Sequence, residues 1–282
     1  MKVAICVIGR LENRYAVEFV EYHKKLGIDH IFIGDNNYDG EEYFEDVLQQ
    51  YIDEDFVTII PYRNRQNVQE VYYWDCYKTY HTYYNYFIFI DFDEYIHLVK
   101  DKNIKEYLSR NINNYNVIQL NWMIYTDNDL IYDDGRPCLK RFVKPMNLYK
   151  IIYNFPENYH VKSIIKCDFD SISFCNPHSI DIKEPNNIPY KVCNNSFKDK
   201  YLIDMFIECN ENKTIDYSLA YVKHFLTKTI DEYVNNKRFR GTIEGGVEDF
   251  KDRYKNKFFR INKLTPEKKE YCLKNKINFD LL

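Results

Sequence analysis

The sequence predicts a single α/β domain with a mostly parallel central sheet flanked by helices, followed by a helical, basic C-terminal extension. Three observations predict it. Apolar runs of strand length alternate with amphipathic helical segments over the first hundred residues, the signature of a parallel sheet wound with helices. The 282 residues are enough to bury a large core. Charge is uneven: Lys and Arg total 39 against 43 Asp and Glu, yet residues 237–276 hold 13 basic and 6 acidic side chains, so the rest of the chain is acidic.

The elements follow in order. Residues 2–8 (KVAICVI) form a continuous apolar run, as in a strand buried on both faces. Tyr15, Phe19, Tyr22 and Leu26 then recur at helical spacing, and Gly27 stands where a helix stops. Strands are expected at 31–33, 56–61 (FVTIIP) and 86–90, with helices at 41–51 and 66–84 between them. Further along the pattern loosens. Strands are expected at 117–122, 160–167 and 219–222, with long loops at 127–145 and 176–192. Thr229 and Glu232 have the spacing of a capping box and open a last helical region.

Composition excludes several classes. The near-neutral net charge of −4 argues against a nucleic-acid binder. The 8 cysteines include no C-x-x-C, so zinc spacing is absent and reduced thiols are expected. The opening MKVAICVIGR meets Arg10 too soon for a secretory signal, and no apolar run reaches the roughly 20 residues of a membrane span. A cytoplasmic protein is therefore expected. The 28 Tyr and 19 Phe accompany abundant Asn, Lys and Ile, a bias that an AT-rich genome produces without selection for sugar binding.

The stretch FIFIDFDEYIHL places Asp91, Asp93 and Glu94 where a buried strand ends. An unpaired buried charge is expensive, so a cation is the first explanation. Strand alternation would aim Asp91 and Asp93 to one side, where they can share Mg²⁺ or Mn²⁺, and send Glu94 elsewhere, toward a basic partner. Asp35, in DNN, ends another strand one crossover upstream. Ligands of open α/β sheets collect beyond such strand ends.

The segments EFVEYHKKLGIDHIFIGDNNYDG, the helix with Gln69 and YYWDC, FIFIDFDEYI and HFLTKTIDEYVNNKRFRG resemble, in this order and spacing, the GT-A-type nucleotide-sugar glycosyltransferases. More narrowly they resemble glycosyltransferase family 92 and bacterial family-2-like relatives. The resemblance covers about residues 1–98 and 224–241 and thins between them to fragments such as HVKSIIK and NPHS. It implies a GT-A-like domain over 1–228, with 1–98 holding the nucleotide-sugar and 99–228 facing the acceptor, and an extension at 229–282.

Position by position, the resemblance implies Asp35 near the uracil or ribose, with Asn37 and Asp39 shaping the same turn. Gln69 and Asp75 line the nucleotide or sugar pocket, and Lys162 and His178 are further donor-site candidates. Asp91 and Asp93 form the D-x-D pair, Asp93 on the metal directly and Asp91 on the ribose or a metal-bound water. His224 supplies a third ligand or a diphosphate contact; an imidazole suits Mn²⁺ better than Mg²⁺, and Lys223 and Lys228 nearby favour a diphosphate. His23, within a helix, reads as structural.

The implied reaction is metal-dependent, inverting transfer from a UDP-sugar to a glycan or lipid-linked acceptor in polysaccharide or glycoconjugate assembly. It requires a general base from the second half of the chain, for which Asp127 in YTDND is preferred over Asp129 and Glu244. Phe250, Tyr254 and Phe258 are spaced four apart among basic residues, either packing on the core or attaching the protein peripherally to the inner face of a membrane. A dehalogenase-like phosphatase fits poorly, because Tyr95 stands where its motif carries Thr or Val and three strands precede the acidic one. A nucleotidyltransferase would need more than the one glycine in IGRLENR. The remaining alternative is a catalytically silent member that binds a glycan or a partner.

Overall fold

The structure is a computed structural model, described here for residues 1–111, 116–146, 158, 160–167, 172–175, 178, 180–182, 190–192, 195–197, 202–203, 215, 217–237 and 257–278. Strands β1 (Val3–Gly9), β2 (His30–Asp35), β3 (Val57–Pro61) and β4 (Tyr86–Phe89) lie parallel in the spatial order β4-β1-β2-β3. Helices α1 (Asn13–Leu26), α2 (Glu45–Asp53) and α3 (Gln69–Tyr80) connect them. Alternation along β1 explains the layering. Val3, Ile5 and Val7 face one core with Phe19 and Val20 of α1 and Leu48 of α2, while Ala4, Cys6 and Ile8 face another with Tyr72, Tyr73 and Cys76 of α3. A strand covered on both sides has no polar face, hence its unbroken apolar sequence.

Beyond β4 the sheet turns mixed. The strands β5 (Glu94–Leu98), β6 (Val117–Ile124), β7 (Val161–Lys166) and β13 (Ala220–His224) complete its central part, with β8 (Ile172–Cys175), β9 (Ile180–Ile182), β10 (Tyr190–Val192), β11 (Asn195–Phe197) and β12 (Leu202–Ile203) between them in the chain. β7 runs antiparallel between β4 and β6, and β13 pairs antiparallel with β5 and parallel with β6. The mostly parallel arrangement expected holds: β1 to β4 are all parallel and β6 pairs parallel with β10 and β13, while β5, β7 and β11 bring in the antiparallel pairs. Helix α4 (Ile104–Asn111) links β5 to β6, and two expected loops also carry structure: 127–145 holds the short helix α5 (Cys138–Arg141), and 176–192 contains β9 and β10.

The acidic motif is aimed by its middle residue. Phe92 is buried, stacks on Phe44 at 5.2 Å and meets Phe19 at 5.0 Å, so the turn is anchored in the core while Asp91 and Asp93 face away from it. Burying such a ring is worth about 1.5–3 kcal/mol. Gly9 makes room for it, since a Cβ there would lie 2.6 Å from the Phe92 ring. At the other end of the chain, α6 (Ile230–Glu232), α7 (Lys257–Ile261) and α8 (Pro266–Lys274) fold back on the body. Phe258, Tyr271 and Cys272 join Ile230 and Tyr233 in one buried cluster. Phe258 of the basic aromatic stripe is therefore core; Phe250, Tyr254 and Glu244 lie outside the described residues. Among the described residues no helix is long and apolar enough to cross a membrane.

Candidate functional site

Strand β4 stops at Phe89, and the backbone N–H of Glu94 donates to the Asp91 carbonyl at 3.1 Å, closing a tight turn. This overturns the alternation expected of Asp91, Asp93 and Glu94, which presumed a continuing strand. After the turn the chain leaves as β5, where Glu94 pairs with His224 of β13, and the Phe225 N–H donates to the Asp93 carbonyl at 2.9 Å. Two strand ends, 130 residues apart in sequence, thereby bring Asp93, Glu94 and His224 together.

These three side chains are 6, 0 and 3 % exposed, and one ligand atom from each lies within 4.8 Å of the others. His224 Nε2 is 3.4 Å from Asp93 Oδ1, and its Nδ1 is 3.7 Å from Glu94 Oε1. Glu94 Oε1 and His224 Nδ1 are buried and have no hydrogen-bond partner among the described residues. Burial pushes the His224 imidazole down to about 4, leaving it neutral with a lone pair to offer, although Asp93 works in the other direction. Burial also opposes ionisation of Asp93, but Lys237 and His224 outweigh it and hold the carboxyl well below the usual range. For Glu94 burial prevails, reinforced by Asp91 and Asp93 against Lys162, and its pKa is raised well above the usual carboxylate value.

Asp91 faces a different neighbour. Lys162 of β7, itself wholly buried, donates to Asp91 Oδ2 at 2.6 Å and lies 3.3 Å from Glu94 Oε2, which also accepts the Asp91 N–H at 3.0 Å. Gln69 Nε2 donates to Asp91 Oδ1 at 3.2 Å. Trp122 of β6 backs the group, with ring centroids 4.2 Å from His224, 4.6 Å from His160 and 5.3 Å from His178, and His178 Nδ1 is 3.0 Å from the Val161 carbonyl. The structure therefore gathers Gln69, Asp91, Asp93, Lys162, His178 and His224 at one place, and adds Glu94.

The other expected residues stand apart from this cluster. Asp35 ends β2, two strands from β4 along the same rim of the sheet, or about 10 Å at the usual strand spacing. Its carboxylate accepts from Arg63 at 2.5 Å and from the backbone and side-chain amides of Asn37 at 3.0 and 2.7 Å; Asn37 in turn accepts the Leu11 N–H. Asp75 is six residues beyond Gln69, about 120° away from it around the axis of helix α3. It accepts from Tyr62 and pairs with Lys78 instead of joining the cluster.

Asp127 lies three residues beyond β6, 1 % exposed, with Oδ2 held at 2.5 Å by the wholly buried Lys268 of α8. Its backbone N–H donates to Asn262, and Asn262 donates to Thr227. An acceptor hydroxyl would have to displace Lys268 to reach this carboxylate, so the expected base is a fastener of the C-terminal helices. Asp127→Asn should cost about 3 kcal/mol, because the buried Lys268 ammonium would keep only Asp129 at 3.6 Å and the Lys263 carbonyl, with Asp127→Asn/Lys268→Met recovering much of it in denaturant titrations.

The sequence points Glu94 toward a basic partner, and Lys162 at 3.3 Å is one, but it does not bring Glu94 to Asp93 and His224, nor does it single out Lys237, Arg63 or Trp122. Lys237 Nζ contacts Asp93 Oδ2 and the Leu226 carbonyl. Lys237 lies within HFLTKTIDEYVNNKRFRG, but no spacing connects it to a carboxylate 144 positions earlier.

The solved structure of TarS from S. aureus shares 13 % identity over 61 % of this chain and 30 % of its own, with a TM-score of 0.38. TarS 1-349 in complex with UDP-GlcNAc gives 13 % identity, a TM-score of 0.37, and coverage of 60 and 46 %. A glycosyltransferase family 92 protein of Ricinus communis is 28 % identical over 115 residues, which are 41 % of this chain and a fifth of that protein's length. The family profile described as glycosyltransferase family 92 matches residues 2–227, from the start of β1 to just past His224. The chain belongs to glycosyltransferase family 92.

Proposed function

We propose that this protein is a metal-dependent, inverting glycosyltransferase that takes a sugar from a nucleotide-diphosphate sugar, a UDP-sugar, and passes it to a glycan or lipid-linked acceptor. Family membership supports the reaction class. One observation carries the metal: Glu94 Oε1 and His224 Nδ1, both buried without a hydrogen-bond partner among the described residues, face each other beside Asp93. Leaving two buried polar atoms unsatisfied is costly, and a shared cation removes the cost. Two carboxylates and a neutral imidazole form a mixed oxygen and nitrogen donor set that suits Mn²⁺ better than Mg²⁺.

Asp93, Glu94 and His224 would hold the ion, which when bound supplies positive charge where the departing diphosphate gains negative charge. Asp91 is oriented by Lys162, Gln69 and Tyr73 and is offered to the ribose or to a metal-bound water. Asp35, kept in place by Arg63 and Asn37 on the same rim, suits the nucleoside end of the donor. The wholly buried Lys162 fixes the carboxylates while the diphosphate binds in front of them.

Calorimetry with a panel of nucleoside diphosphates and their sugars, in Mn²⁺, in Mg²⁺ and in chelator, tests the reading. Metal-dependent binding selective for uridine, together with slow donor hydrolysis in the absence of acceptor, is the expected result. Absence of nucleotide binding with either metal would leave the silent, partner-binding reading in its place.

A further inference from the structure

We infer that Lys237 is a tethered counter-cation that occupies the metal's side of Asp93 in the donor-free protein and exchanges with the divalent ion when donor binds. This rests on the metal-dependent reading above and assigns a part to a residue outside the ligand set. The reasoning starts from charge balance. Asp91, Asp93 and Glu94 converge at one turn, with two ammonium groups, Lys162 and Lys237, set against them.

The two lysines are held differently. Lys162 projects from the middle of the sheet, is wholly buried and bridges Asp91 and Glu94, so it is a fixed part of the framework. Lys237 ends the turn Tyr233–Lys237, keeps part of its side chain exposed, and contacts Asp93 Oδ2 on the edge left open by His224, which takes Oδ1. Its ammonium also donates to the Leu226 carbonyl, and its backbone is anchored upstream by the capping box of Thr229 and Glu232, so the exchange asks the four-carbon stem, and not the main chain, to move.

A divalent ion held by Asp93, Glu94 and His224 would share the Asp93 carboxylate with Lys237 Nζ. Lys237 Nζ in its present place would then lie within a few ångströms of a doubly charged ion in a poorly screened site, an arrangement that Coulomb's law opposes. The ion and the ammonium therefore compete for Asp93. A nucleotide diphosphate removes the conflict, because its oxygens accept the displaced ammonium beside the metal. Lys237 thus restrains metal uptake by the empty site and adds a positive charge to the leaving group once donor is present.

The test is Mn²⁺ binding without nucleotide, read from the paramagnetic resonance of free Mn²⁺, for the natural protein, Lys237→Met, Lys237→Gln, Lys237→Arg and Asp93→Asn. Removing the ammonium should tighten Mn²⁺ binding about tenfold or more. Lys237→Arg, which keeps the charge, should stay near the natural value. At saturating Mn²⁺ the same neutral variants should bind uridine diphosphate about tenfold more weakly, since a phosphate partner is gone. Two neutral variants keep the readout available if one fails to fold. Asp93-dependent Mn²⁺ binding that is no tighter in either neutral variant would overturn the exchange while leaving the metal site standing. Mn²⁺ binding absent from the natural protein and the Lys237 variants alike would overturn the metal reading itself, and the exchange with it.

Discussion

Asp93→Asn is expected to lower turnover about 10²–10³-fold, the loss typical of removing one preorganised electrostatic element from a site where charge develops. Mn²⁺ binding should fall with it. Asp93 is the carboxylate that the structure directs toward both His224 and Lys237, and those neighbours hold it ionised despite its burial. The contrast with Asp91→Asn makes the prediction specific. Asp91 is engaged by Lys162, Gln69 and Tyr73, none of which belongs to the proposed ligand set. Its replacement should leave Mn²⁺ affinity within a few-fold of the natural protein and weaken nucleotide binding instead. Equal losses of Mn²⁺ affinity in the two variants would show that the D-x-D pair ligates as a unit, and would remove Glu94 from its proposed place.

Arg141→Ala should destabilise the protein by about 3–5 kcal/mol, the cost of stripping one partner from a buried ion pair. At this chain length that corresponds to a fall in Tm of roughly 10 °C. The Arg141 guanidinium is wholly buried and meets both oxygens of Glu232, at 2.8 and 2.9 Å. Tyr15 donates to the same carboxylate at 2.7 Å, Thr229 donates from its side chain at 2.7 Å, and Asp133 balances the arginine from 3.2 Å. Truncation leaves Glu232 charged, buried and facing two neutral hydroxyls.

The same hub sets an acid limit. Burial raises the Glu232 pKa, but the hydrogen bonds from Arg141 and Tyr15 overcome it and bring the carboxyl down to about 2. A pKa depressed on folding adds stability above the unfolded value near 4.3, and that stability is lost as pH falls toward 2. The contribution is about 3 kcal/mol. Glu232→Gln should therefore be less stable than the natural protein at neutral pH and should show a flatter acid limb between about pH 4.5 and 2, measured by denaturant midpoints. A stability profile as steep as the natural one over that window would place the acid sensitivity elsewhere. Because Glu232 also closes the capping box that anchors the Lys237 turn, its replacement couples fold stability to the candidate site.

The features legible in the amino-acid order are local and periodic. The unbroken apolar run of β1 marks a strand covered on both faces, the spacing of Tyr15 and Phe19 marks the buried stripe of α1, and Gly27 with φ of 94° stops that helix. Thr229 and Glu232 form the capping box that their separation predicts. The end of β4 just before the acidic residues and the place of His224 close to a strand end are legible for the same reason, since strand ends can be read from hydrophobicity alone.

Which charges meet depends on how the folded chain brings distant segments together. Glu94 meets Asp93 and His224 because the chain turns at Asp91 instead of extending, and Lys237, Lys162 and Arg63 reached their carboxylates across 144, 71 and 28 residues. Asp127 was taken by Lys268 across a comparable span, and Asp75 was carried to the outer side of α3 by six helical steps. Secondary structure repeats every two or 3.6 residues and so leaves a trace in any short window. An ion pair between distant segments has no period, and its partners become neighbours only when the sheet order and the return of the C-terminal helices are fixed.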